Sequence, residues 1–174
     1  MASATYSVEV AKETLFKQGF LDWKDLAVGD AIQEMERRGF EFFSEYGLDF
    51  CKQHVLNTVS ITRHLWYLSN AFQRILSIVE SFFGDETCIL AHCLRYIEYP
   101  GHILCFRRGG PKAGRRALAV HLLAKGSRVG YCGGSHHHFL PTTKGIRLLH
   151  EISPSALGEV GCQCEEKEFP DGGL

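Results

Sequence analysis

Hydrophobic positions change their period once along this 174-residue chain, near Gly84. Upstream they recur at helical spacing, and downstream they come in short runs of strand length. From Asp30, the residues Ile32, Met35, Gly39, Phe40, Phe42, Phe43 and Tyr46 fall on one broad helical face, and Gly47 fits a C-terminal stop. Asp30 is the expected N-cap, because its carboxylate can accept the free N–H groups of a first turn. A second helical stretch is expected from about Phe50 to Phe83, broken where β-branched residues cluster in Val59-Ser-Ile-Thr62. Its clearest part is Phe72, Ile75, Leu76, Val79, Phe82 and Phe83, closed by Gly84-Asp85. Residues 1–28 read as a peripheral N-terminal segment in which Leu15, Phe16, Phe20 and Leu21 form a short amphipathic turn. Residues 29–174 read as a single domain.

After Gly84 the chain reads as strands and turns. Thr87 to Tyr99 is rich in apolar and aromatic residues, and Pro100-Gly101 marks a turn. His102 to Phe106 is an expected short strand, followed by a basic loop over Arg107–Arg116. Ala117 to Ala124 is an apolar run expected as a buried strand, with Lys125-Gly126 turning into a further strand from Arg128 to Cys132. Helices first and short strands after is an α+β order. Asp171-Gly172-Gly173-Leu174 reads as a turn leading into a late strand.

Charge changes this picture more than overall composition does. The net charge is −1, yet residues 95–147 carry ten Lys and Arg against Glu98 as the one acid, while 1–94 carry 13 acids and 8 bases. A basic block between acidic ends suits an anionic ligand or partner, unless the acidic ends fold over it and neutralise it. Its aromatic residues, Tyr96, Tyr99, Phe106 and Tyr131, are too sparse to favour single-stranded nucleic acid. No uncharged apolar run approaches the roughly 18 residues of a membrane helix. The polar, soon acidic N-terminus lacks the pattern of a secretory signal, so a cytoplasmic protein is expected. Seven cysteines at irregular spacing then read as reduced thiols rather than a disulfide framework. Cys51, Cys88, Cys93, Cys105 and Cys132 read as small buried hydrophobes.

His136-His137-His138 invites a metal reading, because imidazole nitrogens ligate iron, zinc, copper and nickel. On a strand His136 and His138 would share one side. Further ligands would have to come from His102, His121 or the Cys162-Gln163-Cys164 pair. The competing reading is a polar loop whose histidines are solvated or bond the backbone. His121, inside an apolar run, reads as a satisfied core histidine. No P-loop, nucleophile elbow or dinucleotide fingerprint is present.

The stretch Ala117-Leu-Ala-Val-His-Leu-Leu-Ala-Lys-Gly-Ser-Arg-Val-Gly-Tyr-Cys-Gly-Gly-Ser-His136 resembles the phytanoyl-CoA dioxygenase-like family, with Gly134-Ser135-His136 as its most distinctive segment. The resemblance covers about residues 30–174 and implies N-terminal helices followed by a partial double-stranded β-helix of jelly-roll or cupin-like kind. It also implies Fe(II) and 2-oxoglutarate as cofactors and a small-molecule substrate. The family holds iron with a His-x-Asp/Glu pair and a distal His. At the position of that pair this chain has Phe106-Arg107-Arg108-Gly109, and His102 is followed by Ile-Leu. The distal His and the Arg that binds the co-substrate carboxylate would follow Asp171–Leu174. The resemblance therefore implies an incomplete or degenerate member without turnover of its own, accessory to a natural-product pathway. Such a member would leave strand edges unpaired and form a homo- or hetero-oligomer through them. If a metal is held, His136, His138 and His102 are the candidate ligands. The alternative function is a non-catalytic binding module that uses the basic block 95–147.

Overall fold

The computed structural model describes residues 6–39, 46, 70–84, 100–114, 117–145 and 149–174. Helix α1 (Val8–Gln18) starts at Ser7, whose hydroxyl accepts the Val10 N–H at 3.2 Å, and stops at Gly19 in the left-handed conformation. Helix α2 spans Leu26–Arg37. Its N-cap is Asp25 and not Asp30: the Asp25 carboxylate accepts the N–H groups of Ala27 (2.9 Å) and Val28 (3.4 Å). Asp30 lies inside the helix and pairs with Lys125 Nζ at 2.5 Å. Gly29 lies within α2, for a packing reason given below. Helix α3 (Asn70–Phe83) ends at Gly84. The expected helical positions Phe40, Phe42, Phe43 and Gly47, the first part of the second stretch (50–69) and the segment 85–99 lie outside the described residues.

The main core joins the helices to the far end of the chain. Ala11, Leu15, Trp23, Val28, Ile32, Met35, Ile78 and Leu174 are buried together. The segment before Gly29 thus supplies Ala11, Leu15 and Trp23 to this core, and the rings of Phe16 in α1 and Phe82 in α3 stack at 5.3 Å.

Two small antiparallel sheets follow the helices. One has the order β1–β4–β3, from Ile103–Cys105, His150–Ile152 and Thr142–Lys144. The other pairs β2 (Ser127–Cys132) with β5 (Cys164–Phe169). The β3–β4 pair is therefore nested in sequence between β2 and β5, yet belongs to the other sheet. A short helix, α4 (Pro154–Glu159), follows β4, and Leu140, Ile152, Ala156 and Leu157 form a second buried cluster there. These elements make an α+β fold of helices and then small antiparallel sheets; no closed barrel or jelly roll is formed among the described residues.

One strand expectation and one cysteine expectation need correction. Ala117–Ala124 is not a buried strand: Leu123 alone makes a bridge, and Val120 is 41% exposed. Leu118, Leu122 and Ala124 pack partly buried against the helical core, so the run covers that core from outside. The reading of all cysteines as reduced fails at Cys132 and Cys164, which form a disulfide. The β2–β5 register sets Cys132 directly opposite Cys164, a relation the spacing in sequence does not display.

After the turn at 170–171, the segment to Leu174 packs between residues 23–25 and Leu123. Gly173 bridges Lys24 on one side and Leu123 on the other. Trp23 and Leu174 exchange backbone hydrogen bonds at 3.0 and 2.8 Å, as do Leu123 and Gly173 at 2.8 and 3.0 Å, and the Asp25 N–H donates to Gly172 O at 3.2 Å. This segment crosses α2 at Gly29, where a Cβ would press on the Asp171 carbonyl, and a Cβ on Gly172 would press back on the Gly29 backbone. Gly172 also has φ 86°, a conformation other residues rarely adopt.

The crossing reverses the usual sign of a helix substitution. Glycine to alanine inside an open helix stabilises by about 0.5–1 kcal/mol. Here Gly29→Ala should destabilise by about 1–3 kcal/mol, the range for overpacking against atoms that cannot move aside. Urea unfolding measures this directly, and an unchanged or raised midpoint would contradict the crossing.

Candidate functional site

Among the described residues the basic character concentrates on the loop after β1. Arg107, Arg108 and Lys112 are exposed there. The loop is fixed by its backbone: the Gly110 N–H donates to His136 O at 2.9 Å, and the Ala113 N–H donates to Gly110 O at 2.9 Å. Gly109 permits that approach, since a Cβ there would lie 2.6 Å from His136 O. The Arg107 guanidinium lies 5.6 Å from the centre of the Phe106 ring, a cation–π contact that restrains it.

The other end of this connection is the 3-10 turn Ser135–His137, opened by Gly134 with φ 74°. Two contacts tie the turn to α1. The Gly134 N–H donates to Gln18 O at 2.8 Å, and the His136 Nε2–H donates to Phe16 O at 2.9 Å. Residues 133–138 thus join α1 on one side to the basic loop on the other.

Ion pairs neutralise some of the described cations, while Lys144 at the end of β3 is exposed and in no ion pair with a described acid. Lys125 pairs with Asp30, Arg128 with Glu168 at 3.2 Å, and Lys167 with Glu165 at 2.7 Å. Folding of acidic segments over the basic block is therefore real along β2 and its preceding turn. No described acid forms an ion pair with Arg107, Arg108 or Lys112. Arg95, Arg115, Arg116 and Arg147 lie outside the described residues.

The candidate metal ligands do not converge. His136 and His138 lie on and just after a 3-10 turn, so the alternation of a strand does not apply to them. The Nε2 of His136 is spent on Phe16. His102 sits ahead of β1 with Nδ1 2.5 Å from Glu151 Oε1. Cys164 is held by Cys132, leaving Cys162 free. Among the described residues no group of three or more His, Cys, Asp or Glu side chains is placed to hold a metal ion. These residues do not fit the iron site that the dioxygenase resemblance implies.

No protein-family model, curated protein or solved structure matches this chain.

Glu151 is the residue that sequence reasoning missed. It lies 49 positions from His102, and only the β1–β4 register, with Leu104 opposite Glu151, brings the pair together. His121 behaves as a satisfied histidine: its Nδ1 lies 3.1 Å from the Tyr131 hydroxyl, and Tyr131 in turn stacks on Phe20 with ring centres 4.7 Å apart. Among the described residues no helix is long and apolar enough to cross a membrane.

Burial holds both His121 and His136 below the ordinary imidazole value of 6.5; at His136 the Phe16 carbonyl partly opposes this. An unfolded chain regains the ordinary value and so binds protons first as pH falls. Their contribution to stability is full above about 6.5 and is lost as pH drops from there toward the lower folded values. The melting temperature should fall between about pH 7.5 and about pH 5.5, and His121→Gln should make that fall shallower. An equally steep fall in the variant would contradict a neutral, half-buried His121.

Proposed function

We propose that this chain is a binding protein rather than an independent oxygenase, and that the loop Phe106–Gly114 receives an anionic ligand or partner. One observation carries the reading. Arg107, Arg108 and Lys112 are exposed on a loop pinned by backbone hydrogen bonds, with no ion pair to a described acid, while Lys125, Arg128 and Lys167 are paired. A fixed backbone lowers the cost of ordering the three side chains around an anion. Arg107 and Arg108 offer planar donor forks suited to carboxylate or phosphate oxygens.

Retention on a heparin column tests this. The chain should elute later than its net charge of −1 predicts. The variant with Arg107, Arg108 and Lys112 all changed to Ala should lose that retention, and its log–log salt slope should fall by roughly 2–3, the counterions released by three cations. Lys125→Ala and Arg128→Ala should retain most of the binding. Equal losses from the paired and the unpaired sets would overturn the assignment to this loop.

The winding of the strands favours a second element of the reading, descent from the phytanoyl-CoA dioxygenase-like fold. A jelly roll is built from antiparallel pairs distributed over two sheets. The nesting of β3–β4 between β2 and β5, in separate sheets after N-terminal helices, supports a partial double-stranded β-helix. On that reading the chain is a member without turnover of its own, accessory to a natural-product pathway. Supplied with Fe(II), 2-oxoglutarate and oxygen, the purified chain should form no succinate above a protein-free blank. Succinate above that blank would overturn the non-catalytic reading, and His102, His136 and His138 would be the first ligands to replace.

A further inference from the structure

We propose that the Cys132–Cys164 disulfide is an exchangeable one, that Cys164 is the sulfur which accepts a small thiol, and that its opening releases the turn joining α1 to the basic loop. The proposal does not rest on the anion-binding reading. Three features of place and packing carry it.

The first is access. Cys164 is exposed and lines an open cleft of about 440 Å³ with Gln18, Phe20, Gln163 and Glu165. Cys132 is only partly exposed and packs on the cluster of Leu140, Ile152, Ala156 and Leu157. An attacking thiol in the cleft therefore reaches Cys164 Sγ, with Cys132 as the leaving sulfur. The second feature is position in the sheet. Cys132 is the last residue of β2 and Cys164 the first of β5, so the disulfide closes one end of the ladder. Opening it leaves the rest of the β2–β5 pairing in place. The third is connection. Cys132 leads directly into Gly133 and Gly134, and the Gly134 N–H is bonded to Gln18 O at the end of α1. Two residues on, His136 holds Phe16 through its ring and Gly110 through its carbonyl.

The exchange balances with a low-molecular-weight thiol as reductant. Its thiolate attacks Cys164 Sγ, a mixed disulfide forms there, and the S–S bond to Cys132 breaks. Cys132 leaves as a thiolate and takes a proton from water. A second thiol attacks the small-molecule sulfur of the mixed disulfide and releases Cys164 as a thiol. Two small thiols are oxidised to one small disulfide, and the protein disulfide is reduced to two thiols.

The test uses the full folded chain, with glutathione and dithiothreitol as the reductants and peptide mapping after thiol alkylation. Cys132 and Cys164 should become alkylatable under native conditions while far-ultraviolet circular dichroism is unchanged. In oxidised glutathione, Cys132→Ser should carry the adduct on Cys164, and Cys164→Ser should carry several-fold less on Cys132. Reduction should speed amide exchange at Gly134 and Gly110 several-fold relative to Val129 within the β2–β5 ladder. The proposal is overturned if the pair opens only when the chain is unfolded, or if Cys132 and Cys164 stay as thiols in oxidising buffer. It is equally overturned if Cys164→Ser carries as much adduct on Cys132 as Cys132→Ser carries on Cys164, or if exchange at Gly134 and Gly110 does not change on reduction.

Discussion

The fold turns on a backbone crossing made possible by glycine. Asp171 and Gly172 pass against Gly29 of α2 so closely that a Cβ on either Gly29 or Gly172 would collide with the opposing backbone. With that approach allowed, the segment lies between residues 23–25 and Leu123 and makes five backbone hydrogen bonds to them. Each such bond contributes roughly 1 kcal/mol net, and leaving a buried donor or acceptor unpaired would cost more. The crossing also carries Leu174, 9% exposed, into the helical core, while Phe169 just before it is fully buried. Residues that contact the two ends of the chain are thereby held in one packed unit. The pairing of β2 with β5 continues from the same place, since the Gly126 N–H donates to Phe169 O at 2.9 Å.

From this anchored end the geometry extends through β2 to the turn at 133–138. No residue of the 3-10 turn is fully buried. It is held by specific bonds: Gly134 to Gln18, His136 to Phe16, and Gly110 to the His136 carbonyl. A region held by few bonds and little buried apolar surface opens locally more readily than a core strand. The basic loop is fastened through that turn to the end of α1, which the helical core itself holds in place. The surface charge follows the sheets: cations on or beside β2 face acids of β5 and α2, whereas Arg107, Arg108 and Lys112 project from a loop with no such described neighbour.

Elements with a sustained hydrophobic period were the legible part of the sequence. The last turns of α3, with Val79, Phe82 and Phe83 before Gly84, and the short strands near Ile103 and Val129 follow from local pattern alone. Asp25 and not Asp30 caps α2, so the helix starts one turn earlier than the hydrophobic period from Asp30 suggests, and the crossing accounts for a glycine inside it. The apolar run Ala117–Ala124 has the composition of a buried strand, yet tertiary placement leaves Val120 at the surface. The disulfide and the His102–Glu151 pair depend on strand register across 32 and 49 residues, which local chemistry does not encode. Strand alternation does not apply to the histidine triplet, because the left-handed Gly134 opens a 3-10 turn, and His136 bonds the Phe16 carbonyl as the polar-loop alternative expects. The basic block was visible as charge, but which of its cations are neutralised is decided by folding.

Residue-resolved amide hydrogen exchange of the folded chain tests the closing crossing most directly, at the N–H groups of Trp23, Leu123, Gly173 and Leu174. Each of these donates to a backbone carbonyl across the crossing. They should exchange as slowly as Val129 in the β2–β5 ladder, because exposing them requires opening the helical core. Exchange at the rate of an unstructured peptide, with the ladder still protected, would show that the segment is not packed between residues 23–25 and Leu123.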